Sequence, residues 1–474
     1  MSSEEKPVQL FAARKKIYSK RVSGKFRTLK WTALVSCLAF YYLAPFLRWD
    51  RGPNAPDQAI LIDLPARRAY WFFIEIWPQD IYILTGILVF LAVILFAVTS
   101  MFGRVWCGYF CFQTVWTDLF IWVERIVQGD RFARQKLDDS PLSFEKIWKK
   151  GLTHFIWILI GLFTAGTFVL YFNDAPSLLT GFLHLQASPM VLGFMIALTL
   201  STYVMAGFAR EQVCTFMCPY ARFQSAMFDK ETLIIGYDPI RGEPRGKHKK
   251  GDSWEGKGHC VNCTACVQVC PMGIDIREGL QMECIACGLC VDACDEIMDK
   301  VELPRGLVRY DTERNFDLLA KGQPEEKFHI WRPRTLYYGA VLSLIGISML
   351  YALLTISPLE LHVLHDRNPL FVQLSDGNVR NGYEIKILNK THEHSHYALS
   401  VSGLEGAVLS VKGAGEVSAE DLYVPADSVG AYHVFVSAPK QEEERKNVSF
   451  ALKSRDGKME DTYESIFISK RPRG

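Results

Sequence analysis

Five uncharged apolar runs interrupt the chain: Trp31–Leu47, Ile81–Phe102, Phe155–Phe172, Pro189–Ala209 and Leu336–Leu359. A helix crosses a bilayer with roughly 20 apolar residues, and about 17 is the lower limit. Four runs meet that length comfortably, while the first is shorter and contains Pro45. Buried helices of a water-soluble core rarely hold uncharged runs this long, so the pattern predicts five membrane spans. A mean hydropathy of only +0.07 over 474 residues shows that the other segments are polar, and the net charge is +2. That balance gives no global reason to expect nucleic acid as a partner.

The distribution of Lys and Arg sets the expected orientation. Residues 1–30 hold nine of them, Gly103–Gly151 holds eight, and Asn173–Ser188 holds none. The excess marks the cytoplasmic side, so the N-terminus is expected in the cytoplasm and, after five crossings, the C-terminus outside. The expected organisation is a basic segment at 1–30, four spans with loops at 31–228, a cytoplasmic insert at 229–335, a fifth span at 336–359 and an outer domain at 360–474. Ala69–Trp77 suits an outer interfacial helix and Phe112–Val127, carrying Asp118 and Glu124, an inner one against membrane lipid, with a connecting loop packed on the bundle as the alternative for both.

All thirteen cysteines lie at or before Cys294. Eight form two runs: Cys260, Cys263, Cys266 and Cys270, followed by Pro271, then Cys284, Cys287, Cys290 and Cys294. The spacing is that of bacterial ferredoxins, in which three thiolates of each run bind one [4Fe–4S] cluster and the fourth reaches the other. It assigns Cys260, Cys263, Cys266 and Cys294 to one cluster, and Cys284, Cys287, Cys290 and Cys270 to the second. Zinc also binds paired C-x-x-C elements, but two complete runs at this spacing favour iron. Asp295 stands where a proline is expected, and its charge should lower the potential of the nearby cluster.

Four more cysteines form matched pairs, Cys107/Cys111 and Cys214/Cys218, each just beyond a span and beside Arg104 or Arg210. If helical, each C-x-x-x-C pair puts two thiols on one face. Four soft thiols at the inner face suit Cu(I) binding, thiol–disulfide relay or another metal centre. Cys37 reads as a packing residue, and His154 and His184 as core or interface histidines rather than metal or quinol ligands. The charged linker Asp229–Gly258, including Lys247-His-Lys-Lys250, reads by default as a solvated tether, with docking of an acidic electron donor or anionic lipid as alternatives.

After Pro358 short β-type runs recur between Gly, Asn and Asp signals, notably Tyr383–Leu388, Tyr397–Val401, Val408–Val411, Tyr432–Ser437, Val448–Leu452 and Tyr463–Ile468. This rhythm predicts an immunoglobulin-like sandwich. His392, His394 and His396 would share one strand face as a copper or zinc site, although a polar hairpin tip accounts for them better. The expected fold class is therefore multidomain: a five-helix membrane bundle, an inserted two-cluster ferredoxin-like domain and a C-terminal β-sandwich.

Three stretches, Trp106-Cys-Gly-Tyr-Phe-Cys111 with Gln113-Thr-Val-Trp-Thr-Asp118, Val213-Cys-Thr-Phe-Met-Cys-Pro219 and Arg241-Gly-Glu-Pro-Arg-Gly246, accompany the ferredoxin run. Together they resemble the cytochrome c oxidase accessory proteins of the CcoG/FixG type over nearly the whole length. Phe112 departs from the family pattern, which has proline there. The resemblance implies a multi-pass protein of the bacterial inner membrane that reduces Cu(II) to Cu(I) for assembly of a cbb3-type oxidase. Electrons would pass from a cytoplasmic donor through two clusters, and Cys107, Cys111, Cys214 and Cys218 would receive, bind or reduce copper. Oxidase subunits or copper-delivery factors are the implied partners of the outer domain, and a homodimer stays open. Two other readings are a quinol-linked polyferredoxin relay and a non-redox scaffold with structural clusters.

Overall fold

The fold is that of a computed structural model, described for residues 16–248, 254–412, 419–441 and 443–469. The basic residues Lys6, Arg14, Lys15, Lys249 and Lys250 lie outside the described residues. The chain divides into two compact units, one holding Ile60–Met349 with the N-terminal segment, the other Arg48–Ala59 with Leu350–Gly474.

Among the described residues, five helices are long and apolar enough to span a membrane. Helix α1 (Lys25–Leu43) starts six residues before the apolar run and ends in a 3₁₀ turn at Pro45. It can start early because Arg27 and Lys30 are buried and paired with Asp118. The next segment corrects an expectation: the interfacial helix over Ala69–Trp77 is instead an antiparallel meander, β1 (Ile60–Asp63), β2 (Arg68–Trp71) and β3 (Ile74–Ile76). Asp63 Oδ1 accepts from Ala66 N at 2.9 Å, closing a turn around Pro65, and the β-branched and aromatic residues then favour strands.

Helix α2 (Ile81–Phe102) is followed by short α3 (Val105–Tyr109), then α4 (Phe112–Gln128) and α5 (Arg131–Asp139). Helix α6 (Phe144–Leu170) begins well before its apolar run, at a Ser143 cap whose hydroxyl accepts from Lys146 N. After α7 (Ala175–Leu183), α8 (Pro189–Val204) runs into two π-helical turns, Met205–Ala209 and Val213–Met217, before α9 (Pro219–Ala226). Helix α4 covers the segment read as an inner interfacial helix, and it buries Asp118 and Glu124 within the first unit.

The linker is not a free tether. Strand β4 (Leu233–Tyr237) pairs with β5 (Val308–Thr312), and α10 (Pro239–Gly242) follows β4. Between the strands lie α11 (Ala265–Val269) and α12 (Leu289–Lys300). Gly246 N donates to Cys260 O, and Cys260 N to Gly242 O, wrapping the linker against the cysteine loop. Helices α13 (Glu313–Ala320) and α14 (Pro333–Leu354) complete the unit, and α14 stops short of Leu359.

In the second unit, two antiparallel sheets form a sandwich. One contains β10 (Val408–Lys412), β12 (Ser428–Ala438), β8 (Val379–Asn389) and β6 (Leu359–His365), with β7 (Val372–Gln373) also on β8. The other runs β11 (Leu422–Val424), β9 (Ser395–Ser402), β13 (Arg445–Ser454) and β14 (Glu460–Ile468). Their inner faces bury Tyr383, Tyr397, Phe450 and Phe467 completely. All six predicted β runs fall on strands.

Candidate iron–sulfur and four-thiol centre

The two ferredoxin-like loops repeat in backbone as well as in spacing. Asn262 and Thr264 in the first, Ala286 and Gly288 in the second, all take left-handed conformations at matched places. Such local reversals turn successive N–H groups inward, the arrangement that holds an anionic cluster. Cys260, Cys263, Cys266 and Cys294 line one cavity with Tyr237 and Arg277. Cys270, Cys284, Cys287 and Cys290 form the second group, each within electrostatic reach of the others. Burial pushes the Cys266, Cys284 and Cys294 thiols up to about 12, so iron must displace their protons to bind. Val269, Ile276, Ile285, Leu289 and Val291 are buried around them. Four thiols in each group, inward N–H groups and an apolar coat fit two four-iron clusters.

The cavity-lining Cys263 is solvent-exposed, whereas Cys287 is buried. The second loop leads to the membrane bundle. A side chain at Gly108 would meet Ile285 O at 2.7 Å and Ala286 O at 3.1 Å, so only glycine allows the α3 backbone to sit on this loop. Tyr109 donates its hydroxyl to Cys287 O at 3.0 Å. Buried Arg104 donates to the carbonyls of Met282, Cys284 and Ala221, tying the loop to α9. Cys107 packs into the same buried cluster as Ile285, Cys287 and Leu289.

The paired cysteines do come together, but not on helix faces. Each pair straddles a break: Cys107 lies in α3 and Cys111 caps α4, while Cys214 lies in a π-helical turn and Cys218 caps α9. Both caps are extended, so Phe112 and Pro219 follow the same kind of break. The Cys107 thiol donates to Gln224 Oε1 at 3.2 Å. Burial pushes Cys107 up to about 12 and Cys214 up to about 11, with Arg104 opposing both.

The π distortion has its own supports. Arg210 sits at φ 41°, a region that disfavours side chains, between the two π turns. Gln113 Nε2 donates to the Met205 and Arg210 carbonyls, satisfying groups the irregular helix frees. Glu124 accepts from Arg210 at 2.7 Å and Arg134 at 2.8 Å. Burial works to raise its carboxyl, but the two guanidinium groups outweigh that and hold it below its ordinary value. Gln113, Gln224 and Arg104 were not singled out as partners from sequence, since each acts on residues far along the chain. His154 shares a hydrogen bond of 3.1 Å with Tyr203, stacks on Phe208 and lies edge-on to Trp157, an aromatic setting of the kind a packed histidine takes.

The histidine site is corrected. Only His396 lies on β9, and each imidazole has a polar partner: His392 meets Asp427, His396 meets Asp421, and His394 meets the Ala426 N–H and the Tyr423 hydroxyl. His394 and His396 both pack on the Tyr423 ring, and among the described residues the three do not converge as a metal-ligating group.

A ferredoxin-like pair of cluster loops set against membrane-spanning helices defines a membrane iron–sulfur electron-transfer protein. The chain belongs to the FixG family. Family models match it as a 4Fe-4S binding domain at residues 83–129, a 4Fe-4S dicluster domain at 209–313 and the IG-like fold at the C-terminal of FixG at 349–470. It is 45% identical to the nitrogen fixation protein FixG of Rhizobium meliloti, covering 97% of this chain and 93% of that one. Proteins RdxA and RdxB of Cereibacter sphaeroides are 45% and 46% identical, covering 91% and 93% of this chain and 91% and 92% of theirs. The crystal structure of a FixG-related protein from Vibrio parahaemolyticus aligns at 26% identity and a TM-score of 0.21, covering 24% of this chain and 99% of that one.

Proposed function

We propose that this protein passes single electrons from a cytoplasmic donor to Cu(II), releasing Cu(I) for assembly of a cbb3-type oxidase. Two [4Fe–4S] clusters, held by Cys260, Cys263, Cys266 and Cys294 and by Cys284, Cys287, Cys290 and Cys270, supply one-electron chemistry when bound. The observation that carries the reading is the seating of Cys107–Gly108 on Ile285–Cys287, which joins the buried cluster loop to the four-thiol centre. Exposed Cys263 gives a donor its point of approach, and the Gly108 contact is the outlet. Each Cu(II) ion takes one electron and becomes Cu(I), the state that soft sulfur ligands of a carrier prefer. The N-terminus and the loops lie in the cytoplasm of a bacterial inner-membrane protein, and the β-sandwich faces the periplasm, where oxidase subunits or copper-delivery factors dock.

The test is anaerobic stopped-flow mixing of reduced protein with Cu(II). Bleaching of the cluster absorbance should coincide with Cu(I) formation, and clusters that stay reduced would refute the copper reading. A quinol-linked relay is the second reading, favoured by a cavity of about 240 Å³ lined by His154, Trp157, Phe208 and Arg210. Rapid oxidation of a quinol by the protein, with no effect of copper, would select it instead. Clusters that never change redox state in electron paramagnetic resonance would leave only the scaffold reading.

A further inference from the structure

The four-thiol centre asks for an occupant of its own. The family model over residues 83–129 is described as a 4Fe-4S binding domain, yet that stretch holds only Cys107 and Cys111. Two thiols fall short of the four that such a cluster takes. Cys214 and Cys218 bring the number to four. The two pairs have matched construction, the second cysteine of each capping a helix that follows a break.

We propose that Cys107, Cys111, Cys214 and Cys218 together bind a third [4Fe–4S] cluster. The inference rests on the reading of these thiols as a redox centre and names what fills it. Each of the four thiols is within electrostatic reach of the other three. Cys270, Cys284, Cys287 and Cys290 stand in the same mutual relation.

Spacing argues against a single tetrahedral ion held by these thiols. Metal–sulfur bonds of about 2.3 Å in a tetrahedral site put the sulfurs about 3.8 Å apart. Among the described residues, no three cysteine sulfurs lie within 4.8 Å of one another. That holds for the four-thiol centre and for the ferredoxin loops alike, and a four-iron cube with thiolates on its outer corners needs the wider spread. The charge of bound thiolates is also provided for. The N–H groups of Gln113 and Thr114 face the Cys111 sulfur, as those of Met272, Gly273 and Ile274 face Cys270. The N-termini of α4 and α9 lie at Cys111 and Cys218, and Arg104 stands near Cys107 and Cys214. Committed to iron, these thiols leave Cu(II) to meet the centre as an oxidant rather than as their bound ion.

The experiment is chemical analysis of the full-length protein, purified anaerobically and reconstituted to saturation with iron and sulfide. About twelve irons and twelve sulfides per chain are expected, against about eight for two clusters. Replacing Cys107 and Cys111 with Ser, or Cys214 and Cys218 with Ser, should remove about four irons in either case and leave the ferredoxin signals in electron paramagnetic resonance unchanged. The control Cys37→Ser should keep the full complement. Saturation at about eight irons in the unaltered protein overturns the proposal, and this measurement needs no variant to fold. Eight irons with intact Cu(II) reduction would sink the third cluster alone. Twelve irons with no reaction toward Cu(II) would sink the copper reading alone.

Discussion

Single residues hold the junction between the cluster loops and the bundle. Gly108 lacks a side chain where one would overlap the Ile285 carbonyl. Gly108→Ala should therefore lift α3 from the loop and slow reoxidation of the reduced clusters by Cu(II) by at least about tenfold. Reduction by dithionite and the cluster signals should not change, and an unaltered reoxidation rate would show that electrons leave elsewhere. Glu124 is buried between Arg134 and Arg210, and removing its charge strands both. Glu124→Gln should cost about 3–5 kcal/mol in unfolding of the detergent-solubilised protein. Because the folded carboxyl lies below its ordinary value, its stabilisation is present above about pH 4.3 and is lost as pH falls through the folded value. The variant should lose that part of the acid dependence. Asp295, beside Cys294, should hold down the potential of the cluster nearest it, so Asp295→Asn should shift one redox titration wave upward by tens of millivolts and spare the other. The spacing of cysteines made the thiols legible in advance. Arg104, Gln113 and Gln224 were not, because their partners lie at Cys284, Arg210 and Cys107, remote in sequence.

At the scale of elements, long apolar runs located the five span-length helices among the described residues, and alternation located six strands of the sandwich but not β6, β7 or β11. Ends were less legible. Helix α1 extends through Arg27 and Lys30 because Asp118 buries those charges, and nothing within the run announces a partner on α4. Ala69–Trp77, within the meander, looked helical because aromatic residues and Glu75 mimic an amphipathic face, while the informative signal was the Asp63–Pro65 turn. Pro219 foretold one cysteine-capped helix start, but Phe112 carries no such mark for the other. The cluster loops have too few residues to hold their shape through apolar packing alone. Removing iron with a chelator under oxidising conditions should open residues 260–294 to protease, with the β-sandwich still resistant. Equal resistance of both regions after complete iron loss would mean that the loops fold without metal.

At the scale of the whole molecule, two compact units with separate cores should unfold separately. Calorimetry should resolve two transitions, and loss of iron should lower only the one belonging to residues 60–349. If the five helices that are long and apolar enough among the described residues all cross the bilayer, the proposed periplasmic side of the β-sandwich predicts that protease trims it in right-side-out vesicles and spares it in inverted ones. The amino-acid sequence alone determined the spans, the two ferredoxin-like loops and the β-sandwich, since each depends on run length, spacer length or alternation within a few neighbouring residues. Only the tertiary structure decided that Cys107 and Cys111 meet Cys214 and Cys218, that Gly108 rests on the second cluster loop, that Glu124 is a buried counterion and that of three nearby histidines only His396 joins β9. Those outcomes depend on how helices and turns pack across a hundred residues or more, or on a local partner's geometry, and no short-range pattern encodes either.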